Sequence, residues 1–565
     1  MLQTDLPRDW WKSVVVYQIY PRSFQDSDGD GVGDLRGIIG RLDHLQHLGV
    51  DVLWLSPVYR SPMDDNGYDI SDYQDVDPVF GTLADLDELI AAAHERGIRL
   101  VMDLVVNHTS DEHAWFVESR ASLDSDKRDW YLWRDEPNNW ESFFSGSAWE
   151  LDEATGQYYL HLFGRKQPDL NWENPQVRQA VHAMMRWWLD RGVDGFRMDV
   201  INLISKTPGL PDGEQAPGAA FGNGFPLVAC GPRLEEFLQE MHREVFADHP
   251  HAYLTVGEMP GVTVEQARRY TDPANGEVDM VFQFEHVDLD GGPGGKFDVQ
   301  PLDMPRLRES LMRWQVGLAE TGWNSLYWDN HDQPRAVSRF GDDDPVWRER
   351  SAKTLATVLH LLRGTPYVYQ GEELGMTNSH FATIADFRDI ESLNYFEARQ
   401  HGHADPEALL EGLRDKGRDN ARTPMQWDDS PHAGFTTGTP WIEANPDHTE
   451  INAAAQVEDP TSVFTHYQRL IALRHADPVV AHGSIQPLAM DHPDLWAYSR
   501  SYDGAQLLVL ASFTRAPLPV PDELLEGWGD AEAVLTTSDQ ALVRSPDGAA
   551  TLAGWESVVL RRVVR

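Results

Sequence analysis

Gly195-Phe-Arg-Met-Asp-Val200 is the stretch that decides the fold. Residues 193–198 read as a short buried strand, and Asp199 stands at its carboxyl end. Arg197 and Asp199 are two apart, so on a strand their side chains share a face. Glu258 in Val256-Gly-Glu-Met-Pro260 follows a strand-like run at 252–256, and Asp332 in Asn330-His-Asp-Gln-Pro-Arg335 follows one at 325–328. Acids delivered from the ends of several parallel strands are how a (β/α)8 barrel assembles a site.

Working outward, short apolar runs at 14–20, 52–55, 98–106, 280–284 and 366–369 bring the expected strands to eight. Helical patterns at 83–96, 176–191, 233–246, 305–320 and 346–362 lie between them. The helix before residue 193 carries its own start signal, Asn174 as N-cap and Pro175 at the first helical position. Strand and helix alternating eight times predict an α/β fold, a (β/α)8 TIM barrel. Residues 105–173 are too long for a plain loop and predict a small inserted domain after the third strand. The barrel then occupies 1–104 and 174–480. Beyond it the helical period gives way to short alternating runs, which predict a C-terminal antiparallel β-sandwich over 481–565.

With 565 residues, 41% of them hydrophobic, the chain can bury several cores and is not a disordered polymer. Its 91 acidic against 47 basic residues argue against nucleic acid or an anionic membrane as partner. The single cysteine, Cys230, allows no intrachain disulfide and fits a reducing compartment. The opening residues show no basic segment followed by an apolar one, and no stretch is long and apolar enough to span a bilayer. A cytoplasmic protein, monomeric or weakly homo-oligomeric, is expected.

Three acids at three strand ends suit the cleavage of a glycosidic bond with retention, which needs a nucleophile and a general acid/base. Arg197 beside Asp199 predicts a carboxylate kept ionised. The apolar Glu258-Met259-Pro260 setting predicts a carboxyl with a raised pKa, able to hold and donate a proton. Taken singly, an acid after a strand is as readily a helix cap or a salt-bridge partner.

Further motifs run along the chain in order. They are Tyr17-Gln-Ile-Tyr-Pro-Arg22, Asp103-Leu-Val-Val-Asn-His108, Gln167-Pro-Asp-Leu-Asn171 and Arg418-Asp-Asn-Ala-Arg-Thr-Pro-Met-Gln-Trp427. With the three acid motifs, this ordered set resembles the α-amylase superfamily, glycoside hydrolase family 13, and within it the oligo-1,6-glucosidase and α-glucosidase group. The resemblance implies Asp199 as nucleophile, Glu258 as acid/base and Asp332 as transition-state stabiliser. It implies that His108, Arg197 and His331 hold the sugar that is cleaved off. Asp65, Tyr68, Phe163 and Gln167 would join them, Tyr68 stacking on the pyranose. Asp65 and Arg418 would form a bidentate pair that closes the pocket at the non-reducing end, making the enzyme exo-acting. Val200 after the nucleophile accompanies α-1,6 activity in this group; the plain alternative is that it only packs.

Asp26-Ser-Asp-Gly-Asp-Gly-Val-Gly-Asp34 sets acids at alternate positions, with Gly31 permitting a tight turn. The spacing matches the first nine positions of a calcium loop, but the twelfth is Gly37 instead of the bidentate Glu, so this is no EF-hand. The expected ligands of a structural Ca²⁺ or Mg²⁺ are Asp26, Asp28, Asp30, Asp34 and the Val32 carbonyl. A solvated acidic turn without metal is the alternative. No organic cofactor is expected.

The expected function is therefore a retaining, exo-acting α-glucosidase on short oligosaccharides such as isomaltose or panose. Two alternatives stand beside it: a broad α-1,4- or sucrose-cleaving α-glucosidase, transglucosylase or sucrose isomerase, and an inactive sugar-binding or transporter-associated subunit. Gln333-Pro-Arg-Ala-Val-Ser-Arg-Phe-Gly341 resembles the hydrolases, and all three acids are retained. The Gly- and Pro-rich residues 208–228 are expected to overhang the pocket.

Overall fold

The computed structural model describes residues 7–247, 252–379, 381–401, 404–538, 542–544 and 549–564. The first six residues, on which the reading of the amino terminus rests in part, lie outside the described residues. Eight strands form one parallel sheet: β1 (Val16–Ile19), β2 (Val52–Leu55), β3 (Arg99–Val105), β4 (Gly195–Asp199), β5 (Leu254–Glu258), β6 (Met280–Phe282), β7 (Ser325–Leu326) and β8 (Thr365–Tyr369). They neighbour one another in the order 6-5-4-3-2-1-8-7. A single parallel bridge, Val281 to Asn324, joins β6 to the residue before β7 and closes the ring. Every residue of β1, β2, β4, β5 and β6 is buried, as expected of parallel strands filled inside and covered outside.

The outer helices begin and end where local chemistry says they should. α1 (Leu35–Leu48) is capped by Asp34, which accepts from Gly37 N, and is stopped by Gly49 at φ 96°. α2 (Leu83–Glu95) has a capping box between Thr82 and Asp85. α3 (Pro175–Arg191) starts on Asn174, whose side chain accepts from Gln176 N. α4 (Leu234–Met241) runs into a wider π-helical turn at His242–Phe246, so the helix expected at 233–246 changes winding near its end. α5 (Val264–Tyr270), α6 (Met304–Gly317), α7 (Arg348–His360) and α8 (Val463–Ala476) complete the ring, with α8 packed against both α7 and α1.

Two appendages flank the barrel. After β3, an antiparallel sheet sets Gln157–Leu160 between Trp133–Arg134 and Trp149–Asp152. Its root is tied back where His108 bridges Asp169 and where the buried Lys206 ammonium meets Asp169 Oδ2 at 2.9 Å. After α8, a five-stranded antiparallel sheet faces a three-stranded one over a core that includes Leu495, Leu510, Trp528, Leu552 and Val558.

The first, third, fourth, sixth and seventh strands are shorter than expected, and the seventh bears on the site. The seventh is expected to reach 328, but Tyr327 and Trp328 leave the sheet, and their side chains donate to the carbonyls of Gln283 and Leu355. Asp332 therefore sits in a loop six residues past Leu326, not at a strand end.

Candidate active site

At the carboxyl ends of β3, β4 and β5, one buried guanidinium holds three carboxylates. Arg197 Nη1 lies 2.7 Å from Asp103 Oδ1 and 2.6 Å from Asp199 Oδ1, and Nη2 lies 2.8 Å from Glu258 Oε1. Register explains the arrangement: Asp103 pairs with Arg197 across β3–β4, and Arg197 with Val256 across β4–β5. Trp54 Nε1 and the Tyr68 hydroxyl fix Asp103 from below, donating to Oδ2 at 3.1 and 3.0 Å. Past Asp199 the chain turns sharply. Val200 adopts the left-handed region at φ 35°, ψ 39°, a strained setting for a β-branched residue, and its N–H donates to Glu258 Oε2 at 2.9 Å.

Asp332 forms a second charged pole. Its Oδ1 accepts from Arg422 Nη2 at 2.8 Å and from Arg418 Nη1 at 3.2 Å. His331 Nε2 stands 3.2 Å from Oδ2. Gln18 Nε2 is assigned as donor to His331 Nδ1 at 2.8 Å, which leaves the ring proton on Nε2, toward Asp332. The His331 ring stacks on Tyr68 at 5.1 Å and 5°. Arg418 meets Asp65 through one contact of 3.1 Å, while its Nε and Nη2 go to Asp389 at 2.8 and 2.5 Å. The expected bidentate Asp65–Arg418 pair is thus corrected to a single contact within a wider acidic ring.

Between the poles lies a cavity of about 430 Å³, within the range of ligand pockets. Asp65, Tyr68, His108, Phe163, Asp199, Val200, Glu258, Asp332 and Arg418 all line it. Arg197, Gln167 and His331 are buried just behind the wall, Gln167 Nε2 donating to Asp65 Oδ2 at 3.0 Å. Phe225, from the segment expected to overhang, reaches the lining, and so do Lys296 and Glu391, paired at 2.7 Å. Val200 lines the pocket and also packs in a cluster with Trp140, Leu160, Leu203 and Val228.

Residues 18–483 match the family model described as alpha amylase, catalytic domain. The chain belongs to the α-amylase family of glycoside hydrolases. An oligo-1,6-glucosidase of Parageobacillus thermoglucosidasius is 58% identical over 528 residues, covering 92% of this chain and 93% of that one. The trehalose-6-phosphate hydrolase of Bacillus licheniformis superposes with a TM-score of 0.92 at 45% identity, over 98% of this chain and 100% of the other. The trehalulose synthase of Pseudomonas mesoacidophila MX-45 gives a TM-score of 0.92 at 45% identity, over 99% and 100%.

The electrostatics of this α-amylase-family site follow from burial and from sharing one cation. Burial pushes Glu258 up to about 8; Arg197 pulls it down, but Asp199 and Asp332 add to the rise. Burial likewise raises Asp199 to about 7, with Asp103 and Asp332 opposing the pull of Arg197. The sequence reading, that Arg197 would hold Asp199 low, is corrected here. Arg197 does act in that direction, but its single charge is divided among three carboxylates. Asp332 goes the other way. Burial would raise it, yet His331, Arg418, Arg422 and Lys296 outweigh burial and hold it well below the usual carboxylate range. His108 and His331 are driven down by burial, to about 4 and about 3, and are neutral at pH 7.

Asp103, Arg422, Asp389, Glu391 and Lys296 were given no role from sequence. Asp103 and Arg422 lie inside quoted motifs, Asp103 five residues before His108 and Arg422 four after Arg418. Asp389 comes from a loop, Glu391 from the first turn of the helix Ile390–His401 and Lys296 from the short strand Gly295–Val299, and none carries a local pattern.

In the acidic loop, carboxylate oxygens of Asp26, Asp28 and Asp34 lie within 4.8 Å of one another. Asp30 is not part of that group; its Oδ1 accepts from Val32 N at 2.8 Å. Asp26 is held below its usual range: burial raises it, but Thr436 and the amides of Gly29, Gly31 and Asp28 prevail. Three converging carboxylates, one of them firmly ionised, fit a hard cation that takes oxygen ligands. Among the described residues no helix is long and apolar enough to cross a membrane.

Proposed function

We propose that the protein is a retaining, exo-acting α-glucosidase that releases the terminal glucose of short α-1,6-linked oligosaccharides. The observation that carries this reading is the single Arg197 guanidinium shared by Asp199 and Glu258, with the low-pKa Asp332 facing them. Two carboxyls on one guanidinium suit the spacing of roughly 5–5.5 Å that retention requires. Asp199 attacks the anomeric carbon while Glu258 gives its proton to the glycosidic oxygen, breaking that bond and forming a β-glucosyl ester. Glu258, now a carboxylate, takes a proton from water as the water oxygen attacks the same carbon, and Asp199 leaves as carboxylate. The order of proton affinities is the required one, since the first proton taken up sits on Glu258, not Asp199. Asp332, anionic throughout, stabilises the positive charge that develops on the sugar ring. The sugar is held by Asp65, Tyr68, His108, Phe163, Gln167, Arg197, His331 and Arg418.

Support for the linkage comes from Val200 in the pocket wall and from the similarity to an oligo-1,6-glucosidase. Asp26, Asp28 and Asp34 would hold Ca²⁺ or Mg²⁺, whose contribution is to neutralise the loop that leads into α1. The lone cysteine and the acidic composition support a cytoplasmic enzyme acting on a small, neutral sugar.

A product time course on equal concentrations of isomaltose, maltose and sucrose tests the reading, with Asp199→Ala as control. Fast glucose release from isomaltose, abolished in the variant, supports it. Faster maltose or sucrose turnover, or new oligosaccharides in place of glucose, overturns the linkage or the hydrolytic outcome.

A further inference from the structure

A second cavity, of about 640 Å³, lies between the inserted domain and the helix Ile390–His401. Phe144 and Phe163 line both this cavity and the catalytic pocket, so the two share an aromatic wall. His161 lines it and is 2% exposed. Its Nδ1–H donates to the Phe163 carbonyl at 2.9 Å, and burial lowers its pKa, so Nε2 carries a bare lone pair. That Nε2 is buried and has no hydrogen-bond partner among the described residues. An unpaired buried acceptor is destabilising, and a small inward shift of the wall that let a ligand hydroxyl reach it would relieve that.

The remaining lining says what kind of ligand. Phe144, Phe163 and Tyr159 offer aromatic surface, while Asp64, Glu397 and Asn394 offer polar groups for hydroxyls. An anion is unsuited, because the carboxylates of Asp64, Asp111, Glu150 and Glu397 outnumber the two cations of the lining, Arg165 and Lys166, and Lys166 already meets Asp111 at 2.7 Å and Glu112 at 3.0 Å. Aromatic faces, a surplus of hydroxyl acceptors and the Arg165 guanidinium as a donor are the chemistry of a neutral, polyhydroxylated ring.

We propose that this cavity is a second saccharide-binding site, taking one glucopyranose unit either as free glucose or as the end of an oligosaccharide. Its occupant would bear on the catalytic pocket directly. Asn394 Nδ2 donates to the Phe144 carbonyl at 3.2 Å, and the Arg418 guanidinium lies 5.0 Å from the Phe144 ring. Sugar bound beside Asn394 therefore steadies the wall against which Arg418 rests.

Equilibrium dialysis of labelled glucose against the whole protein tests the site, with and without deoxynojirimycin, an iminosugar that competes for the catalytic pocket. The expected result is two glucose molecules per chain, only one of them displaced by the iminosugar. His161→Phe and the milder, exposed Glu397→Ala should each weaken the undisplaced glucose at least tenfold and leave the displaced one unchanged. Complete displacement by the iminosugar, or an undisplaced glucose indifferent to both variants, overturns the proposal. Repeating the dialysis with isomaltose on Asp199→Asn distinguishes the sources, since binding of glucose alone identifies product and binding of both identifies a chain end. The glucosidase reading fails separately, by absence of glucose release from isomaltose.

Discussion

The backbone N–H of Val200 donates to Glu258 Oε2 at 2.9 Å, so the residue after the nucleophile also orients the acid. Its side chain meanwhile forms pocket wall, and the two duties are separable because one belongs to the main chain. Val200→Thr keeps the β-branched shape and the amide but changes an apolar methyl to a hydroxyl. The expected outcome is an isomaltose-to-maltose ratio of kcat/KM lower by about tenfold. The alkaline limb of the pH profile should not move, which parallel pH–rate curves on the two substrates would check.

Glu258 must be protonated to act, so kcat/KM should fall as pH rises through about 8. Glu258→Gln should lose that limb and reduce turnover of isomaltose by about 10²–10⁴-fold. An activated substrate such as α-glucosyl fluoride needs no proton on its leaving group and should be far less affected at the first step. Equal losses on both substrates would remove Glu258 from the role.

The same proton governs stability. Folding raises Glu258 from 4.5 to about 8, so the folded chain binds that proton more tightly than the unfolded one. Its contribution is full below about pH 4 and is lost as pH rises to about 8. Asp332, depressed on folding, behaves oppositely: its contribution is present above about pH 4 and is lost in acid. Glu258→Gln should therefore melt above wild type at pH 8, by about 2 kcal/mol, with the gap closing toward pH 5. Calorimetry across that range would show it, and a constant gap would contradict the assignment.

Arg418 neutralises Asp65, Asp332 and Asp389 together. Arg418→Ala leaves the buried Asp65 without a cation and Asp332 and Asp389 with Arg422 alone, and should cost about 3–5 kcal/mol of stability. Arg418→Lys keeps the charge but loses the fork, and should fold while losing roughly tenfold or more in kcat/KM. Denaturant melts alongside kinetics separate the two effects.

Removal of divalent ions should lower Tm by a few degrees while leaving kcat at 25 °C unchanged, because the acidic loop lies outside the cavity lining. A site filled at about 100 times its Kd contributes about 2.7 kcal/mol. Asp28→Asn should abolish the response to chelator. A Tm indifferent to chelator in wild type would leave the loop as a solvated acidic turn.

The sequence is most legible where chemistry is local. Eight strand runs, the Asn174 cap and the acids at the carboxyl ends of β4 and β5 follow from spacing and period, and the structure places them so. What escaped depends on contacts across the chain. Tyr327 and Trp328 look like strand but leave the sheet and anchor by their side chains on distant carbonyls, which no period reveals. Arg197 beside Asp199 was visible, but not that Asp103 and Glu258 draw on the same charge. Asp389, which takes most of Arg418, lies 29 residues from it in an unmarked loop.

The ring of strands is joined all round by runs of backbone bonds except between β6 and β7, where Val281 meets Asn324 in one bridge. There side chains stand in for main chain: Ser325 Oγ donates to the Val281 carbonyl at 2.6 Å and the Tyr327 hydroxyl to that of Gln283 at 2.7 Å. Glu258 is on one bank of this gap and Asp332 on the other. His286 Nε2 adds a third such bond, to the Tyr327 carbonyl at 3.0 Å, and the breadth of the site, from proton donor to charge stabiliser, leans on these side chains acting as a buckle. Loosening any one would widen the gap between the two banks without touching a residue that meets the sugar.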